Sequence, residues 1–125
     1  FWMPFALTIL KEKHKKFIIN PKNLRSDFMT IGFDTVSKNI YKIKAGTHPY
    51  DETVRPQILE RSYNKQYHSL IKKFYSVSGI PAVLNTSLNL HGFPIASKLA
   101  DIVKTYKKSG LRYLYLNDKF LIKKN

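Results

Sequence analysis

A chain of 125 residues is long enough for one domain whose core buries about two-thirds of the unfolded surface, and its lack of cysteine excludes thiol nucleophiles, thiolate metal sites and disulfides. The formal net charge of +14 suggests phosphates or an anionic membrane surface. Only four of the 22 cations, Arg25, Arg55, Arg61 and Arg112, are arginines, however, and scattered lysine without an RNA- or DNA-binding motif is expected to be solvated surface rather than a nucleic-acid interface.

Phe1 to Leu10 is apolar but contains Pro4 and runs into Lys11, Glu12 and Lys13. It is too short for a membrane span and lacks the basic stretch that opens a cleaved leader. Met3 to Leu10 is expected to be a buried strand whose natural upstream sequence is missing, and a cytoplasmic setting fits. Lys11 to Ile18 is expected to form a short helix or turn, ended by Asn20-Pro21. Phe28 to Phe33 reads as a second strand. From Asp34 to Lys44 the pattern is weak, with Tyr41 and Ile43 alternating against Lys42 and Lys44 as in an edge strand. Thr53 to Leu59 alternates better and would carry Arg55, with Pro56 marking an edge position or the end of pairing.

The clearest helix runs from about Asn64 to Val77. Tyr67, Leu70, Ile71, Phe74 and Tyr75 recur at three and four, and Gly79 closes it. Ala82 to Leu84 is a short apolar strand that breaks into the polar loop Asn85, Thr86, Ser87, Leu88 and Asn89. A second helix is expected from a Ser97 cap to Gly110, with Leu99, Ile102, Val103 and Tyr106 on one face. Strands at Arg112 to Leu116 and Lys119 to Ile122 follow, joined by an Asn117-Asp118 turn. No repeat or flexible linker interrupts residues 1–125, so a single α/β domain with a mixed sheet is expected.

Two segments concentrate polar groups beyond what the local pattern needs, His48 to Gln57 and Leu84 to Ile95. The planar donor fork of Arg55 matches two phosphate oxygens at once, and a surface pairing with Asp51 or Glu52 is the competing reading. Thr86, Ser87 and Asn89 can bind phosphate or ribose oxygens without adding charge, and the same groups serve ordinary turns. A loop of this kind after a strand is where α/β folds bind ligands. The four histidines, His14, His48, His68 and His91, lack the spacing of a metal pair, so no metal site is expected. His68 reads as structural, and His48 as a turn residue or a phosphate donor. No triad or catalytic residue is legible.

Three blocks in order, Pro4-Phe5-Ala6-Leu7-Thr8-Ile9-Leu10, then His48 to Gln57, then Leu84 to Asn89 followed by Gly92-Phe93-Pro94-Ile95, make the chain resemble the O-carbamoyltransferases that modify nodulation factors and antibiotics. The likeness covers nearly the whole chain. It implies a YrdC-like twisted mixed sheet with flanking helices and a part in making carbamoyl adenylate from carbamoyl phosphate and ATP, for transfer to a hydroxyl by an upstream domain. It also implies Mg²⁺ held by the phosphates, an iron-type metal in that upstream domain, and ligand roles for Arg55, Ser87 and Asn89, with Thr86 beside them. The family's Lys-x-Arg pair would fall just before Phe1, so the isolated chain is expected not to turn over. Leu7, Glu52, Leu88 and Phe93 stand where the family has proline, glycine, an aromatic residue and glutamate. A non-catalytic basic YrdC-like module that binds RNA remains the alternative reading.

Overall fold

A computed structural model describes residues 5–117 and 119–124. Its largest sheet is built on the apolar run Ala6–Leu10 (β1), in which Leu7, Thr8, Ile9 and Leu10 are each at most 1% exposed. A strand so thoroughly buried must satisfy its backbone on both edges. On one side β1 pairs in parallel with Gln57–Leu59, here β4, matching Thr8 with Gln57 and Leu10 with Leu59. On the other it pairs antiparallel with Ala82–Asn85, β5, matching Ala6 with Asn85 and Ile9 with Ala82.

Successive side chains leave opposite faces of this sheet. Leu7, Ile9, Ile58 and Ala82 pack with Phe17, Ile18, Phe33, Ile43 and Val54. Leu10 and Leu59 pack instead against Ile71 of the helix Lys65–Ser78 (α1), flanked by Tyr67, Tyr75 and Val83. Asn64 caps α1 by accepting the Tyr67 N–H at 2.9 Å, and Gly79 ends it at φ 70°, a left-handed conformation glycine adopts without a Cβ clash.

Chain order here is α/β with a mixed sheet, as expected, but several local readings change. Residues 28–33 are not a strand: Met29 is left-handed at φ 58°, Phe28 is 70% exposed, and only Phe33 joins a bridge, to Val54. The expected edge strand near Tyr41 is a pair of 3-10 turns, Ser37–Lys42 and Lys44–Gly46, because burying Ile43 between them satisfies the core better than a solvated ladder would. The short helix or turn expected within Lys11 to Ile18 is present as the 3-10 turn His14–Lys16, and it leads into the unexpected short pair Ile18–Ile19 (β2) and Asp34–Thr35 (β3). Pro56 has no N–H to give, so pairing restarts only at Gln57 and leaves Arg55 outside β4.

The apolar stripe of α1 is also narrower than its pattern suggests. Leu70 and Phe74 are 60% and 44% exposed, whereas Ile71 is fully covered. Three strands span only about 10 Å across the hydrogen-bonding direction, which leaves room beneath the helix for a single line of side chains.

Contacts divide the chain into two compact units, Phe1–Thr86 and Ser87–Asn125. In the second, the helix Leu99–Lys108 (α2) packs with a hairpin of Tyr113–Leu116 (β6) and Phe120–Lys123 (β7). The Tyr106 hydroxyl lies 3.1 Å from the Arg112 carbonyl and 3.2 Å from that of Ile122, pinning both strands of the hairpin. Lys98 rather than Ser97 occupies the cap position, and its N–H donates to Asp101 at 3.2 Å. Leu99, expected on the packed face, is 63% exposed. Asn117 takes the left-handed turn conformation, φ 50°, and Asp118 lies outside the described residues. Among the described residues no helix is long and apolar enough to cross a membrane.

Ile71 and Leu70 are adjacent, similar in size and opposite in burial. Ile71→Ala should cost about 2–5 kcal/mol and Leu70→Ala no more than about 0.5 kcal/mol, a contrast that urea unfolding of the two variants measures directly.

Candidate functional site

Arg55 is exposed because the chain around it is anchored on both sides. Val54 exchanges backbone hydrogen bonds with Phe33 at 2.9 Å in each direction and is 1% exposed. Pro56 is fully buried, and its carbonyl accepts the hydroxyl of the equally buried Ser26 at 2.6 Å. With both neighbours facing in, alternation turns the Arg55 side chain out.

The preceding turn explains why no carboxylate neutralises it. Asp51 accepts the N–H and hydroxyl of Thr53 at 2.9 and 2.8 Å and lies 3.1 Å from His48 Nδ1. The Thr53 backbone and side chain, helped by His48, hold the Asp51 carboxyl below the usual carboxylate range. The Glu52 backbone closes the same loop by donating to the His48 carbonyl and accepting from the Thr35 hydroxyl, both at 3.0 Å. Neither acid pairs with Arg55, and among the described residues the guanidinium has no hydrogen-bonding or ionic partner. His48 belongs to this turn through its backbone, as its place before Pro49 suggests.

Thr86 directly follows β5. Its side chain is exposed, and no described group bonds its hydroxyl. Sheet topology brings it to the same end of the sheet as Arg55: β5 runs antiparallel to β1, so its exit at Asn85 lies opposite Ala6, where β4 has yet to begin. Two strand spacings, about 10 Å, separate the strands that carry the two residues.

In the second unit, Ser87 and Asn89 are tied to one another. The Ser87 hydroxyl donates to Asn89 Oδ1 at 2.7 Å, and Asn89 Nδ2 donates to the carbonyls of Phe93 and Leu90 at 2.9 and 3.3 Å. Ala96 N–H closes the loop onto the Leu88 carbonyl. The Ser-Leu-Asn segment is therefore held in one shape before any ligand arrives, its amide donors already committed and Ser87 still able to accept.

Sequence reasoning missed a second concentration of charge. Lys11, Lys15, Arg61 and Lys72 surround a hollow of about 750 Å³ beyond the carboxyl ends of β1 and β4, with Glu12, Glu60 and the buried His14 and His68. Its only sequence signal is that both strands run straight into paired opposite charges, Lys11-Glu12 and Glu60-Arg61. His68 is structural to the extent that its ring is buried, but Nε2 faces Glu12 at 3.1 Å at the hollow's wall.

Residues 1–124 match the family model described as carbamoyltransferase C-terminus. The chain belongs to that family. It is 40% identical over 124 residues to an uncharacterized protein of Methanocaldococcus jannaschii, covering 99% of this chain and 23% of the relative. The nodulation protein NolNO of Sinorhizobium fredii is 33% identical over 125 residues, 98% of this chain and 18% of that protein. The 3'-hydroxymethylcephem-O-carbamoyltransferase of Amycolatopsis lactamdurans is 30% identical over 76 residues, 61% of this chain and 14% of that enzyme. The chain thus spans less than a quarter of the length of these family members.

Glu52 sits at a φ of 57°, a left-handed conformation that glycine adopts without a Cβ clash. Glu52→Gly removes about 1–2 kcal/mol of left-handed strain and adds about 0.5–1 kcal/mol of unfolded-state entropy. A net gain of roughly 0.5–1 kcal/mol in unfolding free energy is expected from these terms, measurable by chemical denaturation.

Proposed function

We propose that this protein is the nucleotide-handling part of an O-carbamoyltransferase, forming carbamoyl adenylate from carbamoyl phosphate and ATP so that an upstream domain can pass the carbamoyl group to a hydroxyl. The observation that carries this reading is the exposed Arg55 guanidinium, without a partner among the described residues, at the same sheet end as the Thr86 hydroxyl. An arginine that pairs with neither Asp51 nor Glu52 is available to a polyanion at every physiological pH.

In this reading Arg55 grips phosphate oxygens through its two parallel donors, and the Thr86 hydroxyl donates beside it. Asn89 acts chiefly by fixing the loop, since both of its amide hydrogens are engaged within it. Water cleaves carbamoyl phosphate to carbamate and inorganic phosphate; a carbamate oxygen then attacks the α-phosphorus of ATP, and pyrophosphate leaves to give carbamoyl adenylate. Because phosphoryl transfer asks mainly for alignment and charge neutralisation, these groups contribute by holding the attacking oxygen in line. Mg²⁺ travels with the phosphates and needs no ligand from this chain. Family membership supports the carbamoyl chemistry, and the hydroxyl acceptor is in keeping with the name of the cephem relative.

Millimolar ATP should raise the melting temperature of the protein, since a ligand at 100 times its dissociation constant stabilises by about 2.7 kcal/mol. Arg55→Ala should abolish the shift without lowering the melting temperature of the unliganded protein. RNA binding that weakens steeply with salt and survives Arg55→Ala, with no response to ATP, would replace this reading with that of a basic RNA-binding module.

A further inference from the structure

The hollow at the other end of the sheet has a chemistry of its own. Leu10 and Leu59 form the last register pair of the parallel strands, and the Lys11 N–H donates to the Leu59 carbonyl at 3.0 Å, so the two chains leave the sheet side by side. Ligands of α/β proteins collect outside the carboxyl ends of parallel strands. The space here, about 750 Å³, falls within the range of roughly 300–1,000 Å³ usual for small-molecule sites.

Both carboxylates in the wall are already engaged. Glu60 accepts from Lys11 and from the Ser62 hydroxyl, and Lys11 and Ser62 hold its carboxyl below the usual range. Burial opposes ionisation of Glu12, yet a bond from its own backbone, the His68 ring and the Lys72 ammonium together keep its carboxyl low as well. Lys15 and Arg61, by contrast, form no ion pair with any described residue. The result is an anchored wall in which Arg61 and Lys15 are free of any described ion pair, while Lys72 acts on Glu12 through its charge alone.

A guanidinium and an ammonium lining one hollow suit the oxygens of a phosphate monoester. None of the described residues that line the hollow is a phenylalanine, tyrosine or tryptophan on which a base could stack. Asn23, Ser62 and the remaining lone pairs of Glu12 and Glu60 offer the mix of donors and acceptors that hydroxyl groups need. We propose that this hollow binds a phosphorylated polyol of the sugar-phosphate class, with Arg61 and Lys15 on the phosphate and Asn23, Ser62 and Glu60 on its hydroxyls.

The assignment does not depend on the carbamoyl reading. Glu60 is five residues beyond Arg55, about 16 Å along an extended chain and at the opposite end of the sheet.

The test is calorimetry and amide chemical-shift mapping with D-glucose 6-phosphate, beside D-glucose, inorganic phosphate and ATP. The sugar phosphate should saturate the protein, shift the amides of Lys15, Asn23 and Arg61, and bind about fivefold or more tightly than inorganic phosphate. Arg61→Gln and Lys15→Gln should each weaken it about tenfold or more, while Arg55→Ala leaves it unchanged. Both cations are exposed, so an unchanged unfolding transition confirms that the variants fold. Absence of saturation by roughly 10 mM, equal affinity for inorganic phosphate, indifference to Arg61→Gln, or preference for an oligouridylate with steep salt dependence would each overturn the proposal.

Discussion

The three-stranded sheet depends on one buried strand that has one parallel and one antiparallel neighbour. Leu7 to Leu10 are closed off from solvent on both faces and bonded on both edges, so β4 and β5 can join only in the directions their connections impose. Mixed polarity makes the two ends of the sheet chemically different. At one end the parallel strands β1 and β4 finish together and release charged residues into a common hollow. At the other, β5 exits beside the point where β4 is about to begin, and Arg55 and Thr86 come to that end.

Positive charge therefore has more than one meaning in this protein. Among the described residues Arg55 has no partner: the acids nearest to it in sequence belong to a turn, with the Asp51 side chain held by Thr53 and the Glu52 backbone bonded to His48 and Thr35. Lys11 is matched with Glu60, and Arg25 with Asp27. Lys107 and Lys108 sit in the last turn of α2, where they oppose the negative end of the helix dipole. Net charge alone cannot separate these situations, whereas the hydrogen bonds of the neighbouring carboxylates do.

The loop after β5 combines two roles that composition leaves in competition. Ser87 and Asn89 make the bonds of an ordinary turn, and those bonds also hold the backbone of the loop in place in advance. Preorganisation of this kind lowers the entropy cost of binding, so a structural role for Asn89 and a ligand role for its surroundings are compatible. The junction between the two compact units falls inside this loop, between Thr86 and Ser87, without any glycine-rich linker to announce it.

Much of the chain was legible before the structure because its signals are local. The 3.6-residue period and Gly79 mark α1, the unbroken apolar run marks β1, and the abrupt change from Leu84 to Asn85 marks the end of a strand. The three ordered sequence blocks were enough to indicate the carbamoyltransferase family, and Arg55 drew attention by its rarity. Residues 28–33 misled because an apolar run carries no record of the left-handed turn at Met29. The face of α1 was misjudged because the width of the sheet beneath it, rather than the helix's own pattern, decides whether Leu70 is covered. The hollow was invisible for the same reason: Lys11 meets Glu60 and Glu12 meets His68 across 49 and 56 residues of chain. The sequence by itself marked α1, β1 and the close of β5, and it singled out side chains such as Arg55 as candidates. Only tertiary structure decided which of those side chains share a sheet end and which charges remain uncompensated, because both depend on strand direction and on contacts between segments far apart in the chain.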